Sequence, residues 1–336
     1  MSENIETILR DPEWLAHRYV ESKDAVQFVK LPRSGHAAAA FVTDEHLPAG
    51  LPRVEIGRRE ALETEPPPAP LHFIFHSAFC CSTLVARAFD QPGLSTALKE
   101  PPILNDLVGW RRRGAAGRDV AEVMDSALTL LARPFEPGEA VIVKPSNIVS
   151  GLIPLLMALR PGAKALLLHA PLPIFLTSVA KKGLDGRLWV RELLGGFRKD
   201  GLTLRLGFDD DQLFGQTDLQ IAAAGWLAQQ ALFADLIAKL GPRVRGLDSE
   251  SLLDRPHEAM AALANLYGLS EDGLDVDGAF ARNSKNGEAF SRIERQAEYA
   301  KAGAVHHDEI DKVAAWAAAV ADAAGIPMTL PGALLA

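Results

Sequence analysis

Apolar residues occur along much of the chain as short runs separated by segments with helical spacing. Four of these runs lack the period-two alternation of a half-buried strand, and we predict buried strands at 71–76, 140–144, 163–169 and 243–248. The spacing predicts helices over 82–90, 120–132, 152–159, 174–181 and 219–240, with Asp218 as a possible N-cap of the last, and a helical pattern from 255 to 324. Strands that alternate with helices indicate an α/β fold of three layers, α/β/α, with a central parallel sheet of four or five strands.

Residues 1–70 differ from this pattern and are predicted to be an N-terminal helix/hairpin extension. A helix is expected over 5–20, and AVQFVKL and AAAAFV are expected to be strands that form a hairpin if they pair. The segment ETEPPPAPLH is rich in proline, which excludes both helix and central strand, so we interpret it as a stiff connector. The main domain is predicted to cover residues 71–330.

Composition narrows the functional classes. The net charge of −8 over 336 residues disfavours binding to nucleic acid or to an acidic membrane surface. Cys80 and Cys81 are the only cysteines, and their adjacency provides no disulfide framework. The first residues lack the apolar core of a signal peptide, and no apolar run reaches the roughly 18 residues of a membrane span. We therefore expect a cytoplasmic protein; the oligomeric state is not predicted.

The loop HSAFCCST joins the first predicted strand to the helix that follows it. A strand, a tight loop and a helix beginning with Ser-Thr direct backbone N–H groups and the positive helix end toward one point, where an anion can bind. The expected donors are the backbone from Phe79 to Thr83, including Cys80 and Cys81, and the hydroxyls of Ser82 and Thr83. The loop lacks the Gly and Lys of a Walker A motif, which disfavours an ordinary ATPase or GTPase. A plain strand–turn–helix without a ligand is the alternative.

Glu100 and Lys144 are the next candidates. Lys144 ends a predicted strand, and Glu100 precedes two prolines that exclude helix. Ligands of open α/β sheets bind at the carboxyl ends of the strands, so the loop, the carboxylate and the lysine are expected to converge on one crevice. In the alternative readings, Glu100 only stabilises a turn before Pro101 and Lys144 is a solvated strand end.

Six segments together resemble the motifs of the sulfotransferase family, and especially of its bacterial sulfotransferase-like branch. They are FHSAFCCSTLVARAF, KEPP, VIVKPSN, LLLHAPLPIFLTSVAKKG, LDSESLLDRPHEAMAAL and ARNSKNGEAFSRIERQ, which extend over roughly residues 71–330. The resemblance implies a P-loop-type fold that binds 3′-phosphoadenosine-5′-phosphosulfate (PAPS) or its product PAP.

By this resemblance, the loop would hold the 5′-phosphosulfate, Lys144 would contact the leaving phosphate and Glu100 would be the base. The 3′-phosphate region would include His169, Thr177, Arg282 and Lys285. No metal is expected, because the sequence has no HExxH, CxxC or DxD cluster of useful spacing. The chain departs from the family pattern at four positions: Phe79 and His169 stand where Arg is common, Cys81 where Gly is usual, and Ser146 where cytosolic members have a catalytic His.

Three functions are compatible with these observations. The first is a PAPS-dependent sulfotransferase acting on a small-molecule hydroxyl or amine acceptor. The second is a non-catalytic nucleotide-binding or regulatory protein of the same fold, which the missing loop Arg favours. The third, an ATP-dependent kinase with a degenerate P-loop, is disfavoured by the missing Gly-Lys-Thr.

Overall fold

A computed structural model describes residues 4–63, 69–281 and 292–335 of the chain. Its strands are β1 Trp14–Val20, β2 Ala25–Lys30, β3 Arg53–Gly57, β4 Leu71–His76, β5 Ser95–Lys99, β6 Ala140–Lys144, β7 Ala165–His169 and β8 Val244–Asp248. Its helices up to residue 199 are α1 Ile5–Arg10, α2 Arg33–Ala38, α3 Arg58–Ala61, α4 Ser82–Phe89, α5 Pro102–Arg112, α6 Gly117–Leu131, α7 Ile153–Leu159, α8 Leu172–Lys181 and α9 Gly183–Lys199. The later helices are α10 Asp210–Phe214, α11 Asp218–Leu240, α12 Ser249–Asp254, α13 Pro256–Tyr267, α14 Val276–Phe280 and α15 Arg292–Ala324.

The predicted α/β fold is confirmed. Five strands form one sheet in the order β5-β6-β4-β7-β8, and the paired strands β5/β6, β4/β6 and β7/β8 are parallel. Every residue of β4, β5, β6 and β7 is buried. Because successive side chains of a strand point to opposite faces, burial of every position means that both faces of the sheet are covered.

The four predicted sheet strands all form, and a fifth, β5, was missed. Its sequence STALK has three polar residues out of five, which hides a buried strand from a hydrophobicity pattern. Each polar side chain finds a partner: Ser95 Oγ donates to the Phe89 carbonyl at 2.5 Å and Thr96 Oγ1 donates to Glu139 at 2.9 Å. Lys99 Nζ donates to the His36 carbonyl at 2.6 Å. Such partners are available only in the folded chain.

The prediction for residues 1–70 is partly wrong. The expected helix over 5–20 ends at Arg10, and β1 follows it. AAAAFV is not a strand, because its first residues belong to α2. β2 forms as predicted and pairs antiparallel with β1 and β3 in a three-stranded sheet. The boundary between an extension and a main domain at residue 70 stays a prediction.

The chain forms two compact units. The first comprises Met1–Ile74, Thr83–Lys164 and Ala264–Gly287, and the second comprises Phe75–Ser82, Ala165–Leu263 and Glu288–Ala336.

The core helix of the second unit is α11. It begins with a capping box in which Thr217 is the N-cap, rather than the expected Asp218. Its residue Trp226 is buried and donates Nε1–H to the Ala170 carbonyl at 2.9 Å. Among the described helices, it alone is long and apolar enough to cross a bilayer, but 78% of that apolar stretch is buried in the fold. This burial is typical of a core helix.

His72 makes the stability of the first unit depend on pH. Its ring stacks on Tyr267 with 5.0 Å between centroids, its Nδ1 accepts the Lys164 N–H at 3.2 Å, and its Nε2 is buried with no partner among the described residues. Burial, with a smaller contribution from the charge of Lys164, lowers the pKa of His72 to about 4. The imidazole is therefore neutral in the folded protein.

We predict that the free energy of unfolding decreases as the pH falls from 6.5 to about 4. Over this range the unfolded chain binds a proton at His72 and the folded chain does not, so acid favours unfolding, by about 3 kcal/mol for this group at pH 4. Urea unfolding at several pH values measures this dependence. His72→Phe should flatten it, whereas His307→Ala, at an exposed position, should leave it unchanged; equal slopes for His72→Phe and the wild type would contradict the assignment.

Candidate functional site

The loop between β4 and α4 has an unusual backbone. Ala78, Phe79 and Cys81 have φ angles of 70°, 52° and 65°, in the left-handed region that residues other than glycine rarely occupy. Each such residue costs on the order of 1 kcal/mol or more, and strained residues of this kind concentrate at functional sites. Three of them within four residues distinguish this loop from an ordinary strand–turn–helix connection.

Contacts within the second unit hold the loop in this conformation. The Ser77 N–H donates to the Leu168 carbonyl at 3.0 Å, and Ser77 Oγ accepts the Ala170 N–H at 3.2 Å. The buried Cys80 thiol donates to the same Leu168 carbonyl at 3.4 Å. The end of β7 therefore compensates for the strain of the loop.

The sign of φ changes twice within the loop. The sign of φ is positive at Phe79, negative at Cys80 and positive again at Cys81. An alternation between right-handed and left-handed residues turns successive N–H groups toward one concave side, the arrangement found in phosphate-binding loops. The helix α4 begins directly afterwards with the buried residues Ser82 and Thr83. The amides of its first turn have no acceptor within the helix.

Phe79, which stands where the resembled family has Arg, lies in an aromatic cluster. Its ring centroid is 5.7 Å from that of Phe175 and 5.3 Å from that of Trp189. The Lys182 ammonium lies 5.8 Å from the centre of the Phe79 ring. The cation beside the Phe79 ring is thus Lys182, the residue that follows α8.

Arg295 on α15 is a second cation; it lies in the segment ARNSKNGEAFSRIERQ but was not singled out as a candidate. Its guanidinium makes two hydrogen bonds to Glu250, of 2.9 and 3.2 Å, and lies 4.6 Å from the Tyr299 ring centre. Burial disfavours its charge, but the hydrogen bonds to Glu250 and the charge of Glu250 outweigh this effect and raise the pKa of Arg295.

Glu100 and Lys144, which were predicted separately as base and cation, form an ion pair in the first unit. Lys144 Nζ lies 2.5 Å from Glu100 Oε1, and the Glu100 N–H donates to the Lys144 carbonyl at 2.7 Å. Parallel pairing of β5 with β6 sets Lys99 opposite Lys144, so Glu100 follows directly at the carboxyl end of the sheet. Glu100 and Lys144 therefore lie together at this edge of the sheet; their convergence with the loop on one crevice stays a prediction.

The burial of Lys144 contradicts the alternative interpretation of this residue as a solvated strand end. The Lys144 side chain is 0% exposed and also lies 5.1 Å from the centre of the Phe41 ring, whereas the Glu100 side chain is 20% exposed. Glu100 has a φ of 59°, so this residue too is held in the left-handed region. A buried ammonium requires a close anionic partner, and Glu100 provides it.

His169 and Thr177 are placed less favourably for phosphate binding than the resemblance implies. Burial lowers the pKa of His169 in spite of nearby Asp248, so the imidazole is neutral and brings no positive charge. His169 lines a cavity of about 200 Å³ together with Asp248 and Arg255. The Thr177 hydroxyl donates to the Pro173 carbonyl at 2.7 Å, so its proton is already used. Their assignment to a cofactor stays a prediction.

Arg282 and Lys285 lie outside the described residues, so their predicted position is not tested. Within the described ranges 4–63, 69–281 and 292–335, no group of three or more His, Cys, Asp or Glu side chains is arranged to hold a metal ion.

Comparisons with known proteins give a distant structural likeness. No family model matches the chain, and no curated protein sequence matches it. Among solved structures, the chain is similar to a sulfotransferase domain from the curacin biosynthetic pathway, with a TM-score of 0.35 and 10% identity over 66% of this chain and 81% of that one. At this distance the likeness carries no argument about activity.

Proposed function

We propose that this chain is a sulfotransferase that moves the sulfuryl group of PAPS to an acceptor hydroxyl or amine in the cytoplasm. The observation that carries the proposal is the loop backbone, in which φ alternates in sign at Phe79, Cys80 and Cys81 immediately before α4. This arrangement favours an anionic group with several oxygens. The strain of three left-handed residues is difficult to explain for a loop that only connects two elements.

The proposed reaction is an in-line displacement at sulfur. The acceptor oxygen or nitrogen forms a bond to sulfur, the bond between sulfur and the bridging oxygen breaks, and PAP leaves with the electron pair. Glu100 takes the proton of the acceptor, and Lys144 stabilises the charge on the bridging oxygen. Catalysis of such a loose displacement consists mainly of positioning and charge stabilisation, so it suits a site built from amides and ammonium groups.

The loop needs side-chain cations as well as amides. A helix N-terminus typically contributes only about 0.3–1 kcal/mol to anion binding, which is small for a cofactor with several negative charges. Lys182 supports the proposal because its ammonium lies 5.8 Å from the ring centre of Phe79 in the loop. Arg295 supports it as a mostly buried cation within the same unit as the loop. We assign Arg295 to the phosphosulfate in place of the missing loop Arg.

A second candidate is a protein that binds the nucleotide without turnover. It is favoured by the 0% exposure of Lys144 and its ion pair with Glu100, because each charged group already binds the other instead of a substrate. Transfer requires this pair to separate so that Glu100 can accept a proton. An ATP-dependent kinase has less support, since the loop has neither the Gly nor the Lys of a Walker A motif.

Isothermal titration with PAP, with and without Mg²⁺, and with ATP-Mg²⁺ tests the proposal. We expect PAP to bind independently of Mg²⁺ and more tightly than ATP. Arg295→Met should weaken PAP binding about tenfold or more, since one charge-assisted contact is lost. The matched control is Arg292→Met, three residues earlier on α15 and paired with Asp254 instead; it should bind PAP as the wild type does.

Two outcomes separate the candidates. A preference for ATP-Mg²⁺ would contradict both the sulfotransferase and the PAP-binding regulatory protein. Tight PAP binding without sulfuryl transfer to any member of a broad acceptor panel would leave the regulatory protein.

A further inference from the structure

A cavity of about 390 Å³ lies within the first unit beside the Glu100–Lys144 pair. Its wall includes Arg18, Phe41, Asp44, Glu100, Asn105 and Asp106. The volume is within the range of about 300–1,000 Å³ that is usual for small-molecule sites. Glu100 is thus in contact with a space large enough for an acceptor molecule.

Three of the four carboxylates of the wall are paired with cations, with Arg18 of the wall itself or with Arg53 and Lys144 outside it. Arg18 binds Asp106 through contacts of 2.7–3.1 Å and Asp44 at 2.8 Å. Asp44 also accepts a hydrogen bond from Arg53 at 2.7 Å. Glu100 pairs with Lys144 at 2.5 Å. The remaining lining carboxylate, Glu45, is exposed.

This compensation disfavours a charged ligand. A cationic ligand that pairs with Asp44, Glu100 or Asp106 would have to displace an arginine or a lysine, and the desolvation of its own charge would then not be recovered. A pair with the exposed Glu45 would contribute little, as is usual for ion pairs in water. A neutral ligand with hydroxyl groups can instead donate to lone pairs that the ion pairs leave available on the carboxylate oxygens.

Asn105 provides the second indication. Its Oδ1 is a buried acceptor in the cavity wall with no partner among the described residues. A buried polar atom without a partner costs about 1–3 kcal/mol, so it identifies a position where a donor is expected. The neighbouring Phe41 ring, with His46 packed edge-on at 4.9 Å, adds an apolar surface.

We propose that this cavity is the acceptor site and that it takes a neutral, polyhydroxylated small molecule such as a sugar or a polyol, rather than an amine. One hydroxyl donates to Asn105 Oδ1, and the reacting hydroxyl faces Glu100, whose role as base rests on the function proposed above. The C–H surface of the ligand packs on Phe41.

Ligand-observed NMR on the full chain, without any nucleotide, tests this inference. The probes are methyl α-D-glucopyranoside and myo-inositol, each compared with an amine-bearing counterpart, glucosamine methyl glycoside and an aminodeoxyinositol. We expect the neutral probes to bind and the amines to bind at least tenfold more weakly. Asn105→Ala should weaken binding of the neutral probes about fivefold, the effect of one neutral hydrogen bond.

The same variant provides a control for folding. Asn105 is on α5, where alanine has the higher helix propensity, and the substitution removes a buried acceptor without a partner. Asn105→Ala should therefore raise the midpoint of thermal unfolding by roughly 2 °C while it weakens binding. The matched variant Asn265→Ala, at an exposed helical position of the same unit, should leave probe binding unchanged.

The inference is overturned if neither neutral probe binds, if the amines bind as well as or better than the neutral probes, or if Asn105→Ala leaves binding unchanged. These results do not depend on PAPS. Failure of PAP to bind the loop would instead contradict the proposed function. The binding of the neutral probes to this cavity would still stand as a separate result.

Discussion

Glu100→Ala is expected to destabilise the protein by about 3–5 kcal/mol, more than Lys144→Met, for which we expect about 1–3 kcal/mol. The reason is the asymmetry of burial. Removal of the carboxylate leaves an ammonium that is 0% exposed without its anion, whereas removal of the ammonium leaves a carboxylate that is 20% exposed and can be hydrated. Methionine also fills most of the volume of the lysine stem.

A double-mutant cycle measured by urea unfolding checks this prediction. The variant Glu100→Ala/Lys144→Met should be more stable than Glu100→Ala alone, because no buried charge is left unpaired. Strictly additive effects, or a Lys144→Met variant that is the less stable of the two single mutants, would show that the pair is not the buried ion pair described here.

The same variants separate stability from activity. Under the proposed function, Lys144→Ala and Lys144→Met abolish sulfuryl transfer, while PAP binding survives in weakened form because the loop is intact. Transfer at the wild-type rate by either Lys144 variant would contradict the role of Lys144 at the bridging oxygen.

Cys81→Val is expected to destabilise the protein by about 2 kcal/mol and to weaken PAP binding more than tenfold. The φ of Cys81 is 65°, and a β-branched side chain is strongly disfavoured in this region. The backbone must either remain strained or leave the conformation that directs its amides to one point. Cys81→Gly should have the opposite effect, a gain of about 0.5–1 kcal/mol with PAP binding retained or improved.

Cys80 provides the control for the adjacent position. It has a negative φ, its side chain is buried, and its thiol donates to the Leu168 carbonyl. Cys80→Gly should therefore destabilise the protein, since it relieves no strain and removes a packed group. Thermal unfolding and PAP titration of the three variants measure both effects; stabilisation by Cys80→Gly, or none by Cys81→Gly, would refute the account of the loop.

The sheet and the helices around it were largely predictable because their signals are local. The run AVIVK is continuous and apolar, as a strand buried on both faces must be, and β6 has these bounds. The spacing of Val, Met and Leu marked α6 within a few residues of Gly117–Leu131. β5 was missed because the partners that make Thr96 and Lys99 acceptable inside the protein come from distant segments.

The candidate site was predicted less completely. Lys144 was found because it ends a predicted strand, and Glu100 because it precedes two prolines in the segment KEPP. Their pairing depends on the register of β5 against β6. Arg295 and Lys182 lie in two of the segments that resemble sulfotransferase motifs, but they were not singled out, because the contacts that distinguish them are made only in the folded chain. Asn105 had no signal in the sequence, since its importance comes from the burial of one oxygen atom in a cavity wall.

The amino-acid sequence by itself determined where four of the five strands of the parallel sheet and the helices with clear apolar spacing, such as α6 and α11, form, since apolar periodicity and helix propensity act over a few neighbouring residues. Only the tertiary structure decided the handedness of the loop, because without glycine the positive φ angles at Phe79 and Cys81 are maintained by contacts with the end of β7. It likewise decided which charged side chains pair, since Glu100 meets Lys144 and Arg295 meets Glu250 only when distant segments pack together. A sequence pattern contains neither the burial of a residue nor its distance from a remote one.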